Sequence, residues 1–215
     1  MSVFSAVARV LLSQLGHFVI WIVVASFATA SMAAAYAIRQ EKRAFESFRH
    51  QAFVEWRHLR QRLLDRHLVV VSLLDSLPDH PLLNYNKREL QGCNRVAEAS
   101  VRNFQIEVAN SNECATMCRT QDEFIDALFH MTKAIEQNSL FPSQKGIAAC
   151  LSGLESLQKK IDESKATYNA SVIVYRTRLE SRKSLWRLWM AGMPPELQEL
   201  SFGWTGSDIE TPSVA

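Results

Sequence analysis

Apolar positions recur along this chain in two patterns. From Phe18 to Ile38 they form an unbroken block, FVIWIVVASFATASMAAAYAI, with no charged residue. A helix rising 1.5 Å per residue carries a block of that length across roughly 30 Å, the thickness of a bilayer's hydrocarbon core. Trp21 and Tyr36 stand near its two ends, where amphipathic rings favour the interface. Beyond the block the pattern becomes periodic. Phe45, Ala52, Trp56, Leu59, Leu63, Val70 and Leu73 fall at alternating three-and-four spacing, the seam of a helix in a bundle. No Gly or Pro lies between His17 and Leu77, so one helix is predicted from the apolar block to about residue 76, where Pro78 and Pro81 end it. The Val-rich run Leu68–Val71 sits inside that period and is assigned to the helix.

Three more helical periods follow. The first covers roughly Lys87–Val108, weakened by Gly92. The polar stretch Ala109–Glu113 reads as a turn. The next period shows Phe124, Leu128, Met131 and Ile135, with Asp122 and Glu123 suited to the positive end of a helix dipole. Phe141-Pro142-Ser143 closes it and offers Ser143 as the next N-cap. The last period runs through Ile147, Leu151, Leu154, Leu157, Ile161, Tyr168, Val172, Tyr175 and Leu179, and its helix is predicted to reach as far as Met190, ahead of Gly192, Pro194 and Pro195. Short connections between long amphipathic elements imply antiparallel neighbours. The expected fold is therefore all-α: a transmembrane helix, then an antiparallel bundle of three to four long helices. The expected organisation is an N-terminal segment 1–17, a transmembrane helix 18–38, a bundle 39–200 and a disordered acidic tail 201–215. In the N-terminal segment Phe4, Val7, Leu11 and Leu15 recur at helical spacing, which fits an interfacial helix and a loose tail equally well.

Composition supports this and narrows the function classes. Gly and Pro together supply 13 of 215 residues, too few for a many-stranded β fold. Lys plus Arg number 24 against 22 Asp plus Glu, and a net charge of +2 lacks the basic field of a nucleic-acid binder. The basic residues are placed unevenly. Arg39, Lys42, Arg43, Arg49 and Arg57 follow the apolar block, whereas Arg9 alone precedes it. That asymmetry predicts that the chain after the block, and so the bundle, faces the cytoplasm. The competing reading is a signal peptide cut at Ala35-Tyr36-Ala37, releasing an exported bundle, but the apolar run is long for a signal core. Arg39, Lys42 and Arg43 are candidate lipid contacts, as are Arg182, Lys183, Trp186 and Trp189 on the last helix, which returns toward the membrane if the bundle has four helices.

No motif for catalysis or metal binding reaches a usable pattern. Cys93, Cys114, Cys118 and Cys150 lack the tight pairs of a zinc site and read as free thiols. Glu55 and His58 form one E-x-x-H, where di-iron bundles need two and further carboxylates, so these residues read as solvated surface. The expectation is no enzyme, no cofactor and no metal. Arg49 and Arg66 fall on the seam, where burial demands carboxylate or carbonyl partners and can fix register. Tyr168 and Asn169 read as a packing and hydrogen-bonding pair.

Several of these residues form an ordered set that resembles the LemA family of bacterial membrane-anchored helical proteins. Arg49, Trp56, Leu59, Leu63 and Arg66, followed by Val69, Val70, Leu73 and Leu74, stand at the offsets of the family's first helix. Tyr168-Asn169, Val172 and Tyr175 match its C-terminal helix, and Gly192 to Glu196 resembles the closing turn. The chain departs from the pattern at Lys42-Arg43, Val71, Arg176 and Arg182-Lys183, as a divergent member would. The resemblance spans residues 18–75 and 120–200. It implies an antiparallel bundle on one anchor inside the cell, with Arg49, Trp56, Arg66, Tyr168, Asn169 and Tyr175 along its seam and no established enzymatic activity. One family member acts in magnetosome formation, which extends the expectation to membrane or organelle assembly. The leading expectation is a non-enzymatic scaffold whose partners are membrane lipids, other proteins or a second copy of the chain. The alternative is a metal-handling bundle or membrane enzyme.

Overall fold

A computed structural model of the chain describes residues 2–106, 111–137, 141–181 and 196–203, with side chains from Phe18 onward. The described residues hold four helices and no strand: α1 (Ser2–Ser76), α2 (Pro81–Asn103), α3 (Ser111–Glu136) and α4 (Lys145–Ser181). The chain divides into two compact units, Met1–Ser47 and Phe48–Ala215.

In the first unit, α1 carries one stretch long and apolar enough to cross a membrane, and none of it is buried by protein. Phe18, Trp21, Phe27 and Tyr36 are each at least 65% exposed. The polar groups within the stretch are met locally. The Thr29 hydroxyl donates to the carbonyls of Ala25 and Ser26 at 3.0 and 2.9 Å, which is how a hydroxyl is tolerated where water is absent.

The second unit is a helical bundle. The predicted seam is its core: Ala52, Trp56, Leu59, Leu63, Val70 and Leu73 are buried on α1. They meet Leu83, Leu90, Ala97 and Val101 of α2, Phe124, Leu128, Met131 and Ile135 of α3, and Ile147, Leu154 and Ile161 of α4 as the buried faces of the other helices. Each such large aliphatic or aromatic side chain contributes about 1.5–3 kcal/mol when withdrawn from water. Contacts between helices fix their directions. Arg60 reaches the Val101 carbonyl while Lys87 reaches that of Leu77, so α1 and α2 run antiparallel. Trp56 packs edge-on against Tyr168 and Arg66 bonds Gln158, so α4 runs antiparallel to the same part of α1.

Helix boundaries differ from the periodic reading in instructive ways. α2 starts at Pro81 rather than Lys87, because a fixed φ and a missing N–H are harmless in the first turn. It ends at Asn103, where Arg60 donates to the carbonyls of Val101 and Arg102 at 3.3 and 2.9 Å. α3 starts at Ser111, inside the predicted turn. Its first three turns bury Cys114, Met117, Cys118 and Gln121, which announce a core face less clearly than Leu or Ile. α4 begins at Lys145, one residue later than a Ser143 cap implies. Its predicted extension to Met190 lies outside the described residues. Ser201, Phe202 and Gly203, assigned by the sequence to a disordered tail, are described, and Phe202 is 3% exposed.

Candidate functional site

Two polar constructions stand out in the bundle. The first is a layer inside the core. Arg66 and His67 occupy consecutive positions of α1 and are each 1% exposed. The Arg66 guanidinium donates to Gln121 Oε1 at 2.7 Å and to Gln158 Oε1 at 2.9 Å, and lies over the Phe124 ring, 4.8 Å from its centroid. Gln121 passes the interaction on, donating from Nε2 to the Ala97 carbonyl at 3.2 Å. Gln158 donates to Asp162 Oδ1 at 3.1 Å. One cation thus ties α1, α2, α3 and α4 at one level. Burial pulls the Arg66 pKa down to about 10, opposed by Asp162. His67 turns toward α2, with Nδ1 and Asn94 Oδ1 2.8 Å apart, so Nδ1 carries the proton. Its ring packs edge-on against Phe124 at 4.8 Å, and its buried Nε2 has no hydrogen-bond partner among the described residues. Burial depresses the imidazole to about 4, against the Asn94 hydrogen bond and with the help of Arg66.

The second construction holds an extended segment, residues 196–203, against α3 and α4. Asn169 reads the backbone of Leu200 twice. Its Nδ2 donates to the Leu200 carbonyl at 2.9 Å, and its Oδ1 accepts from the Leu200 N–H at 2.9 Å. The Tyr168 hydroxyl donates to the Gln198 carbonyl at 2.8 Å, and Lys165 Nζ donates to that of Phe202. From α3, Asp122 Oδ1 accepts the Gly203 N–H at 3.0 Å and Cys114 Sγ faces the Glu199 carbonyl at 3.7 Å. Arg176 pairs with Glu196 at 3.3 Å and with Glu199 at 2.9 Å. Leu197, Leu200 and Phe202 are buried. Side-chain groups supply to Gln198, Leu200, Phe202 and Gly203 the kind of hydrogen bond that a neighbouring strand would give in a sheet. Burial raises the Tyr168 hydroxyl and the Asp122 carboxyl, the latter opposed by the Gly203 N–H.

The residues singled out from the sequence divide between these constructions. Arg66 anchors the core layer, and its partners are amide oxygens. Tyr168 and Asn169 hold the segment. Trp56 is buried and packs edge-on against both Phe104, at 5.0 Å, and Tyr168, at 6.1 Å. Arg49 is half-buried, 5.0 Å over the Phe53 ring. It faces Tyr175, whose hydroxyl is pushed up by burial and pulled down by that arginine. Arg39, Lys42 and Arg43 are exposed. Arg182, Lys183, Trp186, Trp189 and the turn from Gly192 to Pro195 lie outside the described residues. Of the other basic residues after the apolar block, Arg60 and Arg62 are engaged by the bundle, Arg62 by Ser164 and the Lys160 carbonyl. His58 is exposed and Glu55 half-buried. All four cysteines are free thiols, and among the described residues no three His, Cys, Asp or Glu converge as metal ligands. A cleft of about 470 Å³ between the facing ends of α2 and α3, lined by Ser100, Asn103, Phe104, Asn112, Thr116 and Met117, contains none of the predicted residues.

His67, Asn94, Gln121 and the docked segment were not singled out from the sequence. The seam itself carried a signal for His67. It jumps seven residues from Leu63 to Val70, and three-and-four spacing requires an inward residue at 66 or 67; both are polar. No protein-family model, curated protein or solved structure matches this chain.

Proposed function

We propose that this chain is a single-pass, membrane-anchored scaffold of LemA-like character, presenting its bundle to protein partners at the cytoplasmic face of a bacterial inner membrane or a membrane derived from it. The observation that carries this reading is the complete exposure of an uncharged apolar helix from Phe18 onward. A surface of that size is stable in lipid and a liability in water. Arg39, Lys42 and Arg43 follow it directly and are exposed, as topology determinants and anionic-lipid contacts must be. The buried faces and the internal polar layer support a rigid interaction module. Assembly of a membrane compartment is one process such a module would serve.

The test has two arms. Alkaline carbonate washing of membranes should leave the full-length chain in the pellet, and a reporter fused to its C-terminus should be active in the cytosol. Release of the chain by carbonate, or reporter activity only outside the cytosol, would overturn the reading. A second reading, release of an exported bundle, rests on Ala35-Tyr36-Ala37. An intact mass showing loss of the first 37 residues would establish it instead.

A further inference from the structure

Residues 196–203 are held largely by their backbone. Tyr168, Asn169, Lys165 and Asp122 make five hydrogen bonds to main-chain groups of Gln198, Leu200, Phe202 and Gly203. Those bonds fix register and read no side chain. Selection comes from two other features. Leu197, Leu200 and Phe202 are 2–3% exposed, so three apolar side chains are seated against α3 and α4. Arg176 pairs with Glu196 at 3.3 Å and with Glu199 at 2.9 Å. The groove thus takes an extended peptide with two carboxylates three residues apart, each followed by leucine. Emptying it would return those apolar side chains to water and strip Tyr168 and Asn169 of their partners. A lasting open state is therefore one in which a second occupant of the same pattern and register is seated. Another copy of this chain carries such an occupant by construction, and exchange between two copies preserves every bond in the groove.

We propose that two copies of this chain associate by reciprocal exchange, each seating its residues 196–203 in the α3–α4 groove of the other, with Arg176 selecting the occupant through Glu196 and Glu199. The length of the connection carries the exchange. α4 ends at Ser181, about five residues and so roughly 7.5 Å along the axis past Arg176, whereas Glu196 lies beside Arg176 itself. Closing that gap within one chain takes a span on the order of 10–15 Å. The roughly 14 residues between Ser181 and Glu196 can extend to about 45 Å. The surplus is enough to reach the corresponding groove of a chain packed alongside, without unwinding α4. Because the groove contacts are the same in both arrangements, the balance between them is set by the connection and by the local concentration of a second copy. Exchange supplies the scaffold with one partner, another copy of itself, and it does not rest on the anchoring proposed above.

The test uses the full-length chain in detergent micelles, in two forms with different affinity tags. One form carries Arg176→Glu, and the other carries Glu196→Lys together with Glu199→Lys. Each alone sets like charges against each other in its own groove. The three side chains are 34–55% exposed, so these reversals leave the buried faces of the bundle alone. Each form alone should exchange its Leu200 amide about tenfold or more faster than wild type. In the mixture, reciprocal exchange pairs opposite charges in both grooves. Mixing should therefore yield dimers with one copy of each form and bring Leu200 exchange back to within about threefold of wild type. Segments that stay open in the mixture, or that are protected in the separate forms, would overturn the proposal. Wild-type copies bearing the two tags give a reading free of any folding defect in the variants. Capture of one through the other after joint incubation is expected, and an excess of the synthetic peptide ELQELSFG should abolish it. No such capture, or capture that the peptide leaves unchanged, would equally sink the proposal.

Discussion

Arg66 sits in the core with amide oxygens as its direct hydrogen-bond partners, Gln121 and Gln158, and an aromatic face as its floor. Such a group is costly to desolvate and more costly to remove, because its partners are then orphaned. Arg66→Leu should lower the unfolding free energy by about 2–4 kcal/mol, measured by denaturant titration, as the buried Gln121 and half-buried Gln158 amide oxygens lose their donor. His67 gives the bundle a pH dependence of defined sign. Its folded value of about 4 lies below the ordinary 6.5, so the unfolded chain takes up the proton first as pH falls. The contribution is fully present above pH 6.5 and declines progressively down to pH 4, where the accumulated loss is about 3 kcal/mol. Unfolding midpoints recorded across that window should fall in wild-type protein and fall less in His67→Gln. Of these two residues, Arg66 was legible because it stands on the seam. The same gap in the seam pointed to His67, but one inward residue at 66 already satisfies the spacing, so a histidine beside it registers as a polar break.

At the scale of the element, α2 contains an avoidable weakness. Gly92 is exposed, and a Cβ built there meets nothing within 4 Å. Gly92→Ala should stabilise the bundle by about 0.5–1 kcal/mol, seen as a higher denaturant midpoint with an unchanged slope. Within the set of side chains that hold the docked segment, Asn169 alone makes two hydrogen bonds to one of its residues. Asn169→Ala removes both bonds to Leu200, and local opening should become easier by about 1–3 kcal/mol, read as faster exchange of the Leu200 amide. Periodicity gave the existence of every helix, because each buries a regular apolar stripe. It missed the start of α3, whose inward residues include two cysteines and a glutamine. It also missed the segment 196–203, because an extended stretch held by side-chain hydrogen bonds has no period to read. The pairing of Tyr168 with Asn169 was visible, but what they hold was not.

For the whole molecule, the unbroken apolar block and the all-helical bundle followed from sequence because both rest on a single strong term, the removal of apolar surface from water. Placing one Arg at Val24, in the middle of the block, adds about 2.5–3.5 kcal/mol to the cost of insertion on biological scales. Under the proposed anchoring, Val24→Arg should shift a substantial fraction of the chain out of the carbonate-resistant pellet while the bundle keeps its melting transition.

One detail of the core layer has a practical consequence. The imidazole of His67 is held as a single neutral tautomer by Asn94, and its other nitrogen is buried, with no side-chain or backbone donor on it among the described residues. In nitrogen-15 spectra of the chain, which has six histidines, that buried nitrogen should resonate as an unprotonated site. It should hold its shift from neutrality down to mildly acidic conditions and disappear when the helices separate. The chain therefore carries its own isotopic gauge of bundle integrity, usable in micelles or in lipid without a foreign label.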